Sequence, residues 1–290
     1  MTGVAIWVAG ARPRTLPAAV SPVLVGTGVA IAADSFRPLP ALLCLLISLA
    51  LQVGVNYAND YSDGVRGTDT VRVGPARLVG QGLATPAAVR AAAVIALGGA
   101  GVLGVVLLAL TGQWWLLPVG VSAVIAAWLY TGGPRPYGYT GLGEVMVLLY
   151  FGLVAVIGTT VVQTGRWEPL AMLAALPIGL LASAILMANN IRDIPTDTDN
   201  GKRTLAVRLG PRRARILFIA TLGSAFTLVV PIALVRPWAM LAVLSLPLAV
   251  PAVRAITADQ PARLARALPA MGRLHLGFGI LLALGCALGR

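Results

Sequence analysis

The chain has almost none of the side chains that bind soft metals. Its 290 residues include 2 cysteines and 1 histidine, and both cysteines, Cys44 and Cys286, fall inside apolar runs. A disulfide framework and a Cys/His zinc site are therefore excluded. Lysine is as scarce as histidine, with Lys202 the single one among 22 basic residues. Acidic residues number only 10, and all charged residues together make up 11% of the chain. A soluble domain carries about 25%, so water is not the solvent this surface is made for.

What is present is apolar. Hydrophobic residues make up 58% of the chain, more than one soluble core can bury. Runs long enough to cross a hydrocarbon layer about 30 Å thick recur at 16–33, 40–58, 87–111, 114–131, 142–163, 169–190, 214–235, 237–255 and 270–288. The expectation is an all-α integral membrane protein with nine transmembrane helices, forming a single domain over 1–290. The first run follows Arg12-Pro13-Arg14 and is followed by no small-residue cleavage site, so it reads as a retained helix rather than a signal peptide.

A net charge of +12 raises the question of nucleic acid, which the distribution of the charge answers. With the nine spans in place, 18 of the 22 basic residues fall in one set of loops, and only Arg37, Arg166, Arg236 and Arg290 fall in the other. That asymmetry is the positive-inside pattern of a multi-pass protein of the inner (cytoplasmic) cell membrane. It puts the N-terminus in the cytoplasm and the C-terminus outside, with the lipid bilayer as partner and no nucleic acid. Trp114, Trp115, Trp167 and Trp238 fall at the outer ends of spans, where an amphipathic ring suits the headgroup layer.

Six of the ten acids crowd into two short windows. Asp60, Asp63 and Asp69 follow the second span; Asp193, Asp197 and Asp199 follow the sixth. At helical spacing Asn56, Asn59 or Asp60, and Asp63 share one face of a continuation of the second helix, as Asn189 and Asp193 do on the sixth. Pro195 ends or kinks the sixth helix near Ile194, so that Asp197 and the glycine-containing loop fold back over the site. Helix caps and solvated turns also use Asp and Asn, but two such windows on one membrane face point to chemistry. Carboxylate and amide oxygens without His or Cys select a hard cation, and Mg2+ prefers a few carboxylates plus the oxygens of a substrate phosphate. Arg66, Lys202 and Arg203 lie beside the windows, where they can balance the remaining phosphate charge.

Tyr57, Tyr61, Tyr130, Tyr137 and Tyr139 gather at the cytoplasmic ends of spans, either as interfacial anchors or as rings lining the path of a cation. Glu144 opens the fifth span after a Gly- and Pro-rich loop and suits a helix-dipole role as well as a site role.

The windows Asn59-Asp60-Tyr61-Ser62-Asp63 and Asp193-Ile194-Pro195-Thr196-Asp197 resemble the two hallmark motifs of the UbiA-type superfamily of intramembrane prenyltransferases. Pro195 is the one departure, at a position where many relatives carry an acid. The segment 11–17, the window 56–69 and the stretch 190–206 look like the branch that prenylates 1,4-dihydroxy-2-naphthoate. The resemblance implies a nine-helix bundle around a central cavity that opens to lipid, under a cytoplasmic cap carrying both motifs. It implies Mg2+ held by Asn59, Asp60, Asp63, Asp69, Asp193 and Asp197, with Asp63, Asp193 and Asp197 catalytic. Arg66, Lys202 and Arg203 would clamp the diphosphate of a polyprenyl donor. Asn56, Tyr61, Arg135, Tyr137, Tyr139 and Asn189 would line the acceptor or the allylic cation. The competing readings are a sister enzyme acting on 4-hydroxybenzoate or homogentisate, a cation-coupled transporter, and a membrane scaffold. A transporter would carry its acids near the midplane, whereas these lie at helix ends.

Overall fold

The computed structural model describes residues 3–67, 77–258 and 260–289. Asp69 lies outside them, with the rest of residues 68–76. Helix α1 (Gly3–Ala11) leads through a tight turn at Pro13–Thr15 into α2 (Pro17–Ala32). Then come α3 (Pro38–Val65), α4 (Pro86–Thr111), α5 (Leu117–Leu129), α6 (Gly143–Thr164) and α7 (Pro169–Arg192). The short α8 (Ile194–Asp199) precedes α9 (Leu205–Thr227), α10 (Val229–Val235), α11 (Pro237–Ile256) and α12 (Ala267–Ala287). The described residues contain no strand.

Proline sets many of these boundaries. It occupies the first turn of α2, α3, α4, α5 and α7, where its missing N–H costs nothing and its fixed φ suits the helix. Between α1 and α2, Pro13 and Pro17 flank a break at which Arg12 takes a left-handed φ of 53°. Gly210 interrupts α9 with φ 74° and ψ 165°, just before Pro211. The middle of α6, Leu148–Val154, winds as a π-helix, a rare form frequent at functional sites.

Among the described residues seven helices are long and apolar enough to cross a membrane, or eight if α1 and α2, bent by 53°, form one crossing. Nine were expected. The difference is the run at 114–131, which forms a 3-residue turn and a 13-residue helix, roughly 25 Å in all and short of a full hydrocarbon layer.

The bundle packs around α7, whose apolar stretch is 72% buried against 28% for α3 and α4. Leu181, Ile178 and Ala184 of α7 meet Phe218 of α9 and Leu274 and Phe278 of α12 in the main core. Leu234, Leu244, Ile95 and Val102 are exposed outward, as expected of side chains facing lipid. The α6–α7 crossing depends on glycine: a Cβ added to Gly152 would come within 2.6 Å of the Gly179 Cα. Small residues at such a crossing let two helix backbones touch. Trp115 and Trp167 stack with ring centroids 5.6 Å apart at the end of the bundle opposite the acidic windows. This is a multi-pass membrane protein.

Candidate active site

The end of α3 stays helical through Asn56, Asn59, Asp60 and Asp63 although all four are buried. Each is buried because each has a partner. Asn59 Oδ1 accepts from the Thr131 hydroxyl at 2.8 Å. Asp63 Oδ1 accepts from the Tyr139 hydroxyl at 2.5 Å and from Lys202 Nζ at 3.0 Å. The Lys202 ammonium also sits over the Tyr139 ring, 4.5 Å from its centroid, a cation–π arrangement. Burial, reinforced by the neighbouring Asp63 carboxylate, pushes the Tyr139 hydroxyl above the usual tyrosine range, so it stays a donor. Tyr137 is likewise pushed up by burial, then by Tyr150.

The second window is built by the break at Pro195. Helix α7 ends at Arg192, and Pro195 lies in the first turn of the new helix α8. Asp193, at the joint, is gripped by the adjacent Arg192 through Nε at 2.7 Å and Nη2 at 2.8 Å. Beyond α8 the chain reverses at Gly201, with φ +69°, and the Lys202 N–H returns to the Asp197 carbonyl at 2.8 Å. This reversal aims Lys202 at Asp63, so one side chain joins the two windows.

Beneath them lies a cavity of about 690 Å³. Its polar end is lined by Asn59, Asp63, Asn189, Asn190, Asp197 and Lys202, with Arg12, Arg77 and Arg192 around them. Its long remainder is apolar, lined by residues such as Leu51, Leu97, Leu108, Ile125 and Phe151. This suits a ligand with a charged head and a greasy tail.

Not every residue singled out by sequence lines this cavity. Asn56 does, yet its amide donates to the Ala11 carbonyl at 2.9 Å and to Thr15 Oγ1 at 3.0 Å, tying α3 to the N-terminal turn. Asp60 does not line it; its two oxygens accept the Leu78 and Val79 N–H groups at 2.8 and 2.9 Å, holding the loop that precedes α4. Tyr61 packs near Trp128, with centroids 6.4 Å apart. Arg66 donates to the Thr131 and Gly133 carbonyls and, at 3.3 Å, to the Tyr139 hydroxyl. Arg135 and Arg203 are exposed; the Arg203 N–H donates to the Tyr139 carbonyl at 2.9 Å. Tyr137 and Tyr139 both line the cavity, and the Tyr137 hydroxyl donates to the Ala126 carbonyl at 2.9 Å. Sequence reasoning missed Asn190, Arg192, Arg12 and Arg77 as cavity residues. Arg77 lies 14 positions after Asp63, and no periodicity links the two.

The donor set fits a hard cation. Among the described residues no three Asp, Glu, His or Cys side chains converge as a closed metal cage. The cavity instead presents the carboxylates of Asp63 and Asp197 and the amides of Asn59 and Asn189. That incomplete, all-oxygen set is what Mg2+ uses when phosphate oxygens supply the rest of its shell.

A helical membrane bundle with an oxygen-rich, cation-ringed floor above an apolar chamber has the build of an intramembrane lipid-diphosphate enzyme. The chain matches the UbiA prenyltransferase family over residues 19–279 and belongs to it. It is 47% identical over 263 residues to the 1,4-dihydroxy-2-naphthoate octaprenyltransferase of Mycobacterium tuberculosis, covering 91% of this chain and 90% of the relative. To the enzyme of the same name from Escherichia coli it is 42% identical over 215 residues, 72% of this chain and 70% of the relative. Among solved structures, a UbiA homolog from Archaeoglobus fulgidus bound to GPP and Mg2+ superposes with a TM-score of 0.66 at 15% identity. That match covers 96% of this chain and 99% of the other, and it shows a shared fold.

Proposed function

We propose that this chain transfers a polyprenyl group from polyprenyl diphosphate to 1,4-dihydroxy-2-naphthoate, with loss of the carboxylate as carbon dioxide, giving demethylmenaquinol for menaquinone biosynthesis. The observation that carries the reading is the joining of the two Asp windows, through Lys202 and Asp63, at the polar end of an otherwise apolar cavity. The identity to naphthoate prenyltransferases supports the choice of acceptor.

In this reading Asn59 and Asp63 hold Mg2+ from α3, and Asp193 and Asp197 hold it from the α7–α8 joint, with Asp69 as a further donor. Asp60 acts one step back, by fixing the loop that carries Arg77. Magnesium, when bound, supplies positive charge to the diphosphate oxygens, which makes diphosphate a better leaving group. Lys202 and Arg192, with Arg12 and Arg77, orient the diphosphate, and Arg66 and Arg203 brace Tyr139 beside it. The prenyl tail lies in the apolar part of the cavity, where the absence of water protects the electron-poor allylic carbon from hydrolysis. Tyr130, Tyr137 and Tyr139 turn aromatic surface toward that carbon. The bond from the allylic carbon to the diphosphate oxygen breaks, a bond to a ring carbon of the acceptor forms, and carbon dioxide departs from the ring.

The orientation read from the basic loops supports an active site facing the cytoplasm, with nine crossings when the bent α1–α2 pair and the short α5 each count as one. The test is direct. Membranes containing the chain are incubated with Mg2+, a labelled polyprenyl diphosphate and one of 1,4-dihydroxy-2-naphthoate, 4-hydroxybenzoate or homogentisate. Prenylation of the naphthoate alone is expected; prenylation only of another acceptor refutes the acceptor, and prenylation of none refutes the reaction.

A further inference from the structure

Glu144 is buried in the first turn of α6 and does not itself line the cavity. Its Oε1 accepts a hydrogen bond from Asn190 Nδ2 at 2.8 Å, and its backbone carbonyl accepts one from the Ser183 hydroxyl at 2.8 Å. Among the described residues its Oε2 makes no hydrogen bond. The close Gly152–Gly179 crossing keeps α6 pressed on α7, so the two side chains have little freedom to part. The Asn190 amide turns its NH2 toward Glu144, whose Oε1 accepts the bond. Asn190 lines the cavity, and the polar atom left for the cavity is its carbonyl oxygen. The bond from Glu144 also polarises the amide, which makes that oxygen a stronger acceptor.

Asn190 lies three residues before Asp193 on α7, roughly 4.5 Å further from the acidic loop at the rise of an α-helix. It therefore sits below the level of the diphosphate, toward the apolar chamber, where the ring that attacks the allylic carbon must approach. We infer that Glu144 is a positioning residue for the aromatic acceptor: it locks the Asn190 amide so that its carbonyl oxygen accepts a hydrogen bond from a ring hydroxyl. This rests on the proposed transfer to a dihydroxylated aromatic ring. A hydroxyl that donates to Asn190 feeds electron density into the ring, which favours attack by its carbon.

The test is steady-state kinetics of the full chain in lipid nanodiscs, with the Mg2+, prenyl diphosphate and naphthoate concentrations varied in turn. Glu144→Gln keeps the size but can both donate and accept, so the Asn190 amide is no longer locked. The KM for naphthoate is expected to rise roughly tenfold, the loss of one oriented hydrogen bond. The KM for prenyl diphosphate and the Mg2+ half-saturation should stay within about twofold, since neither uses this bond. Asn190→Ala should give the same split, and serves if Glu144→Gln fails to fold. In the double variant Glu144→Gln/Asn190→Asp the introduced amide donates to one oxygen of the introduced carboxylate and the other faces the cavity, so the naphthoate KM should return toward wild type. An unchanged naphthoate KM, equal rises for both substrates, a shift in Mg2+ half-saturation instead, or a double variant no better than Glu144→Gln each overturns the inference. A wild-type chain that prenylates no naphthoate overturns the proposed reaction first and this inference with it.

Discussion

Lys202 Nζ lies 3.0 Å from Asp63 Oδ1, with both side chains buried and the two residues 139 positions apart in the chain. The contact makes one site of two loops, and an ion pair so placed is expensive to break by halves. Lys202→Met leaves Asp63 without its ammonium in a dry setting, which costs about 3–5 kcal/mol when one partner of a buried pair is removed. A lower melting temperature in detergent is expected, together with loss of transfer. Asp63→Asn/Lys202→Met should regain much of the melting temperature and none of the activity.

Asp60→Ala removes the acceptor of two backbone N–H groups. The effect expected is on the loop before α4 rather than on the cavity floor. Each hydrogen bond to a charged group contributes about 1.5–3 kcal/mol, so amide hydrogen exchange at Leu78 and Val79 should accelerate strongly. Unchanged exchange there would contradict the loop-holding role.

Tyr139 gives a pH prediction whose sign is fixed by its raised pKa. A tyrosine more easily kept protonated in the folded state stabilises the fold fully below its ordinary value of 10.0, and that contribution fades as pH climbs from there toward the raised folded value. Melting temperature above pH 10 should therefore fall less steeply for Tyr139→Phe than for wild type. Below pH 10 the variant should show slower turnover, because the hydroxyl's bond to Asp63 and the one it accepts from Arg66 are both lost.

Gly179→Val should disrupt the α6–α7 crossing, since its first added carbon meets the Gly152 Cα at 2.9 Å and Leu148 Cδ1 at 2.6 Å. Overpacking of this kind costs about 1–3 kcal/mol. Reduced thermal stability is expected, with the losses in activity and in folded protein running in parallel.

The sequence carried the fold class well because bilayer thickness imposes a length on every crossing, and α3, α4, α7 and α12 reproduce their expected runs with extensions of a few residues. It was less informative at 114–131, where the apolar run is real but the helix is short, and at the bend between α1 and α2. Of the candidate site, the two windows and the break at Pro195 were legible from residue type and spacing. The division of labour inside the first window was not. Asp60 and Asp63 are indistinguishable by composition, and only the position of the returning loop gives Asp60 to backbone N–H groups and Asp63 to the cavity. Arg77 and Arg192 were missed for a related reason, because an arginine in a basic loop looks the same whether it faces water or a chamber. Arg135, expected to line the acceptor or the allylic cation, is exposed.

The measurement that bears most directly on the central claim is Mg2+-dependent transfer from labelled polyprenyl diphosphate to 1,4-dihydroxy-2-naphthoate by wild type, Asp63→Ala and Asp197→Ala, with folded protein quantified in each. Wild type is expected to transfer until EDTA removes the metal, and each variant to lose at least about a hundredfold in transfer per folded molecule, Asp63→Ala also lowering the folded fraction because it leaves the buried Lys202 without its carboxylate. Full transfer by either aspartate variant, or by wild type in EDTA, would contradict that claim.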